Sequence, residues 1–92
     1  MIKSFACKDT KKLFNNLYVK NFASFQRQAQ IKLKLLNAIN DVNELTIPPG
    51  NRLEALKGNR SGQYSIRINK QWRICFTWKD SHVYDVEIVD YH

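Results

Sequence analysis

Apolar residues recur at helical spacing in two segments of the N-terminal half of the chain. The first segment carries Leu13, Phe14 and Leu17 on one side, and Asp9 or Thr10 is suited to cap its start. The second segment is longer, and Ser24 is expected to cap it. Its spacing predicts a helix with one side packed on a core. The apolar positions of this second helix are Phe25, Ala29, Ile31, Leu33, Leu35, Leu36, Ala38 and Ile39.

The C-terminal third alternates between apolar and polar residues, which is typical of strands with one buried face. Three strands are predicted, at about 63–69, 71–78 and 83–89. Helices can cover the apolar face, while the opposite face stays polar. The predicted apolar face comprises Tyr64, Ile66, Ile68, Trp72, Ile74, Phe76, Trp78, Tyr84, Val86 and Ile88; the predicted polar face comprises Ser65, Arg67, Arg73, Cys75, Thr77, Asp85, Glu87 and, if the last strand continues, Tyr91.

The connections between these strands decide which side chains share a face. For Ile68 and Trp72 to share the apolar face, their connection must hold an odd number of residues, and residues 69–71 satisfy this. Residues 80–82 are assigned to the second hairpin loop. Residues 2–5, which also alternate, predict a short edge strand. The chain is therefore predicted to be α+β, with a short N-terminal strand and two helices on one face of a mainly antiparallel sheet.

The length of 92 residues is typical of one domain, so residues 1–92 are expected to fold as a unit. Every Gly and Pro lies between residues 48 and 62. This segment is predicted to be irregular, and it places Arg52, Lys57 and Arg60 near two glycine-containing turns. A long ordered loop in so small a domain is usually functional.

The formal net charge is +7, and the charges are unevenly distributed. All fifteen Lys and Arg lie within residues 3–79, whereas the last thirteen residues contain four acidic residues and no basic ones. A small basic domain often binds phosphates, either of nucleic acid or of an anionic membrane. Solubility alone is the competing explanation for the excess of positive charge.

No apolar stretch of signal-peptide length follows Met1, and no run approaches the roughly 20 apolar residues that span a bilayer. Cys7 and Cys75 are far apart and match no metal or redox spacing, and Cys75 is expected to be a small buried thiol. We therefore expect a reduced, cytoplasmic protein that uses no membrane, metal or cofactor.

Residues on the predicted polar face and at the C-terminus together suit RNA cleavage. Arg67 and Arg73 can bind phosphate oxygens, Tyr91 can stack on an unpaired base, and His92 can exchange a proton near neutral pH. With such groups, a base can remove the 2′-hydroxyl proton, cations can stabilise the crowded phosphorus, and an acid can protonate the departing 5′ oxygen. This reaction needs no metal.

Each of these residues also has a structural alternative. Arg67 and Arg73 are placed to pair across strands with Glu87 and Asp85. The second histidine, His82, is expected to be an ordinary loop residue. The remaining alternatives are a solvated Lys57 or its ion pair with Glu54, a rim aromatic at Tyr91 and a disordered terminal His92.

The stretches "LKGNRSG", "SIRIN" and "WRICF", followed by a terminal "DYH", resemble the motifs of one known family and occur in the same order as in that family. The chain resembles HigB-type toxins of the RelE family, particularly the GraT-like subgroup, which are ribosome-dependent mRNA interferases. The resemblance extends over the whole chain and is specific over residues 48–92. It implies a RelE-like fold, cleavage of mRNA in the ribosomal A site, and a cognate HigA-type helix-turn-helix antitoxin. It implies contact with DNA only indirectly, through the antitoxin complex.

The resemblance also implies roles for individual residues. Lys57 and Arg73 match the basic residues that handle the phosphate in this family. Position 54 is His in some HigB toxins, whereas other RelE-family toxins carry Glu there, so Glu54 is the expected general base. Base and acid could nevertheless be exchanged or shared. The C-terminal group is Asp90 as an orienting residue, Tyr91 as an orienting or stacking group, and His92 as general acid; Arg52, Arg60 and Arg67 are the expected RNA contacts.

Two other functions remain open at this stage. Relatives that resemble ParE toxins share the architecture but inhibit DNA gyrase, and fold alone does not settle function. The other alternative is a catalytically weak module that binds RNA or the ribosome. The combination of Glu54, Lys57, Arg73 and the terminal D-Y-H favours the nuclease, because an inhibitor that only binds protein does not require it.

Overall fold

The computed structural model describes residues 1–90, so Tyr91 and His92 lie outside the described residues. Within residues 1–90, two α-helices pack on one face of a four-stranded antiparallel sheet, which confirms the predicted α+β class. The helices are α1 (Lys8–Phe14) and α2 (Gln26–Ala38), and the strands are β1 (Glu54–Ala55), β2 (Gln63–Arg67), β3 (Trp72–Lys79) and β4 (His82–Asp90). Shorter 3-10 turns span Lys20–Phe25, Val42–Thr46, Pro49–Asn51 and Gly58–Arg60.

The hydrophobic core lies between the helices and the sheet. Leu13 of α1 and Leu33 of α2 are fully buried, and they belong to one cluster with Ile66, Ile74 and Val86 of the sheet. Because burial of apolar surface is the main favourable term in folding, this layer holds the helices on the sheet. The strands follow one another in the order β1-β2-β3-β4, so each is hydrogen-bonded to its neighbour in sequence.

Helix α2 begins later than the predicted start at Ser24. The residues before it form the 3-10 turn Lys20–Phe25, and α2 starts at Gln26. Phe22 and Phe25 are both buried in this turn. A 3-10 helix has three residues per turn, so a spacing of three places both rings on the core side.

Helix α1 also differs from the prediction, since Cys7 occupies its N-cap position and Thr10 lies inside it. Thr10 is fully buried, and its Oγ1 accepts a hydrogen bond of 3.0 Å from the backbone N–H of Ile88 in β4. Its hydroxyl therefore ties α1 to the sheet. Leu17, predicted on the apolar side, lies beyond α1 and is exposed. No helix in residues 1–90 is long and apolar enough to cross a membrane.

The predicted N-terminal strand lies along the outer edge of β4. Ile2 and Phe5 make isolated parallel bridges to Val83 and Val86, rather than a continuous strand. Alternating backbone hydrogen bonds of 2.7–3.2 Å support them, including the bond from Lys3 N–H to the Val83 carbonyl. This segment thus satisfies edge groups of β4 that would otherwise remain open.

The first hairpin has the predicted connection, because Ile68 N–H donates to the Trp72 carbonyl at 2.9 Å across three intervening residues. The second hairpin is tighter than predicted. Its turn holds only Asp80 and Ser81, and both have the positive φ that a type I′ turn requires. His82 is therefore not a loop residue but the first residue of β4.

The tight turn changes the register of β4, and a bulge then restores it. Val83, rather than the predicted Tyr84, is fully buried in the core, while Tyr84 pairs with Thr77 on the opposite face. The pairing shifts by one residue between Cys75 and Thr77, where Asp85 has a φ of 54°. One extra residue in β4 returns the following residues to the core side.

Leu33 and Ile31 make a matched pair for testing the core of α2. Leu33 is 0% exposed and Ile31 is 56% exposed. Leu33→Ala should lower the free energy of unfolding by about 2–5 kcal/mol, because it leaves a cavity. Ile31→Ala should change it by less than about 0.5 kcal/mol. Urea unfolding followed by circular dichroism measures both values, and equal losses would contradict this packing.

Candidate active site

The 48–62 segment was predicted to be irregular, and this is wrong in part, because the segment contains strand β1. In β1, Glu54 pairs with Ser65, Ser65 pairs with Cys75 of β3, and Cys75 pairs with Glu87 of β4. These pairs place the four residues in one row across the sheet, on the face opposite the helices. The row has a carboxylate at each end, and each carboxylate lies near an arginine.

Arg73 is the arginine near Glu54, and it is nearly buried at 5% exposure. Its Nε donates to Ser65 Oγ at 2.8 Å, and its Nη2 donates to the carbonyl of Arg52 at 2.6 Å and to that of Ser65 at 3.3 Å. Its Nη1 lies 3.9 Å from Glu54 Oε1. The bonds to Nε and Nη2 fix the plane of the guanidinium and turn Nη1 towards Glu54.

The carbonyl of Arg52 reaches Arg73 because the chain before it is anchored. Asn51 is fully buried; its Nδ2 donates to the carbonyls of Leu45 and Ile47, and its Oδ1 accepts a hydrogen bond from Lys32 of α2. Arg52 itself has a φ of 46°, in the left-handed region. This conformation ends the short 3-10 turn Pro49–Asn51 and leads the chain into β1.

An open cavity of about 220 Å³ lies beside Arg73. Four of its six lining residues are basic and one is acidic, so the cavity suits an anion with several oxygens. Arg67 has its Nε bonded to the Asn69 carbonyl at 3.0 Å. The lining residues are Arg52, Glu54, Arg67, Asn69, Lys70 and Arg73.

The other end of the row holds Arg60, which was predicted to contact RNA. Arg60 donates to Glu87 Oε1 at 2.9 Å and to Gln63 Oε1 at 2.9 Å. The hydrogen bond that Arg60 donates to Glu87 raises the pKa of the Arg60 guanidinium above its ordinary value. The cross-strand partner considered for Arg67 was Glu87, and the structure instead pairs Glu87 with Arg60. Arg60 is not one of the described residues that line the cavity beside Arg73.

The predicted polar face of the sheet is partly buried. Ser65, Arg73 and Cys75 are each 5% exposed or less. Burial raises the pKa of the Cys75 thiol, and the nearby Arg60 opposes this shift only in part. Cys75 is thus a buried thiol as expected, and not a nucleophile in a cleft.

Asp90 faces away from Arg73, because it pairs with Trp72 while Arg73 pairs with Val89. Asp90 Oδ2 accepts a hydrogen bond of 3.1 Å from Gln71 Nε2. Trp72 in turn stacks on Phe25, with ring centroids 4.9 Å apart. The end of β4 is therefore supported by the aromatic part of the core.

The structure brings together Arg52, Glu54, Arg67 and Arg73 from the predicted set. Lys57 is exposed and lies immediately before the turn Gly58–Arg60. It is not among the residues of the 1–90 range that line this cavity. Tyr91 and His92 lie outside the described residues, so their expected roles remain predictions. Sequence reasoning missed Asn69 and Lys70, which belong to the connection between β2 and β3, and it gave Ser65 no role.

The family of the chain follows from a comparison that covers nearly all of its length. A family model of HigB-like toxins, described as the RelE-like toxin of the type II toxin-antitoxin system HigB, matches residues 3–92. The chain belongs to this family. The predicted resemblance to HigB-type toxins of the RelE family is thereby confirmed.

Individual relatives agree with this assignment. Toxin HigB-1 of Vibrio cholerae serotype O1 is 53% identical over 49 residues, which cover 53% of this chain and 52% of that protein. The match thus spans about half the length of that relative. Endoribonuclease HigB of Proteus vulgaris is 31% identical over 93 residues, and the match covers 100% of this chain and 100% of that protein. The YoeB–YefM complex from Staphylococcus aureus contains a chain with a TM-score of 0.62 and 26% identity; the match covers 100% of this chain and 95% of that one.

The burial of Cys75 predicts a difference in reactivity between the two cysteines. In a Cys7→Ser variant at pH 8, iodoacetamide should label native Cys75 far more slowly than the urea-unfolded chain, because the thiol is inaccessible and its raised pKa lowers the thiolate fraction. Mass spectrometry over time measures both rates. A Cys75→Ser variant, which keeps the less buried Cys7, is the control. Equal labelling rates of Cys75 in the native and the unfolded chain would show that the sheet face opposite the helices is open to the reagent.

Proposed function

We propose that this HigB-like chain is the toxin of a type II toxin-antitoxin system and acts as a ribosome-dependent endoribonuclease on mRNA in the A site. The observation that carries the proposal is the nearly buried Arg73, fixed beside Glu54 at the wall of a basic cavity. The endoribonuclease name of the Proteus vulgaris relative supports the reaction class. Residues 1–92 are proposed to act as one toxin domain.

The proposed reaction uses the 2′-hydroxyl of the RNA as the nucleophile. Glu54, whose side chain is about half exposed, removes the 2′ proton as the oxygen attacks the neighbouring phosphorus. A bond forms from O2′ to phosphorus and the bond to O5′ breaks, leaving a cyclic phosphate. His92 donates a proton to the departing 5′ oxygen, and the resemblance leaves open whether acid and base are exchanged.

Cations stabilise the charge that develops on the phosphate oxygens in this step. Arg73 is proposed to contact those oxygens through the cavity, with Lys57 as a second contact. Arg52 and Arg67 would hold the flanking backbone, and Arg60 would contribute only when it leaves Glu87. Tyr91 is proposed to orient or stack on the substrate, and Asp90 to position its neighbours. No metal or cofactor is assigned a step.

Partners follow from the family and from charge. The family is described as the toxin of a type II toxin-antitoxin system, which supports a cognate antitoxin here, proposed to be of the HigA helix-turn-helix type. Contact with DNA would then be indirect, through that complex. The ribosome carrying mRNA is the proposed site of action, in the cytoplasm and without a membrane.

Primer extension on programmed ribosomes tests the activity and the role of His92. The wild-type protein should produce cuts at codon positions, and His92→Gln should cut about 10²–10⁴ times more slowly, which is the usual effect of losing one acid-base group. His82→Gln, which changes the histidine at the start of β4, should retain activity. A fully active His92→Gln variant would remove His92 from the mechanism. Changed DNA supercoiling without RNA cuts would instead favour a ParE-like gyrase inhibitor.

Salt dependence of ribosome association tests the electrostatic contribution of the cavity. Arg52→Asn should make the slope of log association constant against log salt shallower by about 0.7, the value for one phosphate contact to a single strand. Asparagine tolerates the left-handed backbone and keeps the carbonyl that Arg73 needs. Lys34→Gln, on the exposed side of α2 outside the cavity, is the control. An unchanged slope in Arg52→Asn would argue against phosphate contact at Arg52.

A further inference from the structure

Ser65 lies behind the cavity rather than in it. It is fully buried, and it is absent from the residues that line the open space beside Arg73. A substrate in the cavity therefore meets Arg73, Glu54 and Arg67, and not the Ser65 hydroxyl. Any effect of this hydroxyl on the reaction must pass through a neighbouring side chain.

The neighbour is Arg73, which receives two contacts from Ser65. The hydroxyl oxygen accepts from Nε at 2.8 Å and the carbonyl accepts from Nη2 at 3.3 Å. The third contact runs from Nη2 to the Arg52 carbonyl at 2.6 Å. A planar group held at Nε and at Nη2 has little freedom to rotate, so its Nη1 edge keeps one direction.

The hydroxyl supplies the only side-chain contact among these three. Removing it leaves the Nε donor of a 5%-exposed arginine without that acceptor. The two carbonyl contacts both act on Nη2, whereas the hydroxyl acts on Nε, so the hydroxyl restrains the guanidinium at a separate point. The expected result is a displaced Nη1 edge, not an empty or collapsed site.

We propose that Ser65 is a positioning residue for the interferase reaction. Its buried hydroxyl holds the Arg73 guanidinium in the direction that binds the scissile phosphate. This inference rests on the proposed function. Misplacement of a reacting or stabilising group by about 1 Å can slow a reaction by about 10²-fold, so the effect should be in turnover. Ribosome association uses many other basic residues and should change little.

Single-turnover cleavage on programmed ribosomes tests this role in Ser65→Ala. We expect the maximal rate to fall about 10- to 100-fold, while the concentration for half-maximal rate changes less than about threefold. Thr77→Ala is the matched control, because Thr77 is a hydroxyl residue of the next row on the same face and lies outside the cavity. It should cleave at the wild-type rate.

A double-mutant cycle separates positioning from a general structural effect. Lysine has no Nε–H in the arginine position, so Ser65→Ala should cause no further loss in an Arg73→Lys background. Equal losses in both backgrounds, or full activity of Ser65→Ala, would overturn the proposal. If the wild-type protein itself makes no cuts, the proposed function fails, and that outcome is distinct from a failure of Ser65 alone.

A second variant covers the case in which Ser65→Ala does not fold. Ser65→Cys keeps nearly the same volume but offers a sulfur, which is a weak hydrogen-bond acceptor. It should fold, with a thermal midpoint close to that of the wild type, and show the same loss of maximal rate. Wild-type turnover in folded Ser65→Cys, or failure of both variants to fold, would assign Ser65 a purely structural role and overturn the proposal.

Discussion

The burial of the Arg73 guanidinium is the constraint around which this face of the sheet is organised. A charged group removed from water is destabilising unless its donors are paired, and Arg73 donates to three oxygens of two residues within the described part of the chain. Two of these oxygens belong to Ser65, on the neighbouring strand, and the third to Arg52, before β1. The guanidinium thus connects the segment before β1 to β3 across β2. Glu54 lies at the open side of this arrangement, 3.9 Å from Nη1.

The segment before β1 is what brings Arg52 and Glu54 to Arg73. Asn51 serves as its anchor, because it is fully buried and bonded to two carbonyls of the preceding turn and to Lys32 of α2. The following residue takes a left-handed conformation, and only then does the chain pair with β2. The 48–62 segment, which contains every Gly and Pro of the chain, is therefore anchored to the core at Asn51. From there it places the Arg52 carbonyl and the Glu54 carboxylate next to the Arg73 guanidinium.

The register of β4 depends on two local features that compensate each other. The two-residue turn at Asp80 and Ser81 places Val83 in the core, and the bulge at Asp85 then returns Val86 to the same side. The Ser4 hydroxyl accepts a hydrogen bond of 2.9 Å from the Asp85 N–H, so the N-terminal segment supports the bulge. Without the bulge, every later residue of β4 would face the opposite side, including Glu87 and Asp90.

Periodicity and charge in the sequence by themselves determined the helices, three of the strands and the basic character of the 48–62 segment, while the resemblance of short motifs indicated the family. These properties depend on local spacing and composition, which need no knowledge of distant contacts. Only the tertiary structure decided that Tyr84 leaves the core, that β1 is a strand, and that Ser65 holds Arg73. A two-residue strand has no period, a bulge shifts the pattern by one residue, and a buried hydroxyl has the same letter as an exposed one; each is set by pairing with residues far along the chain.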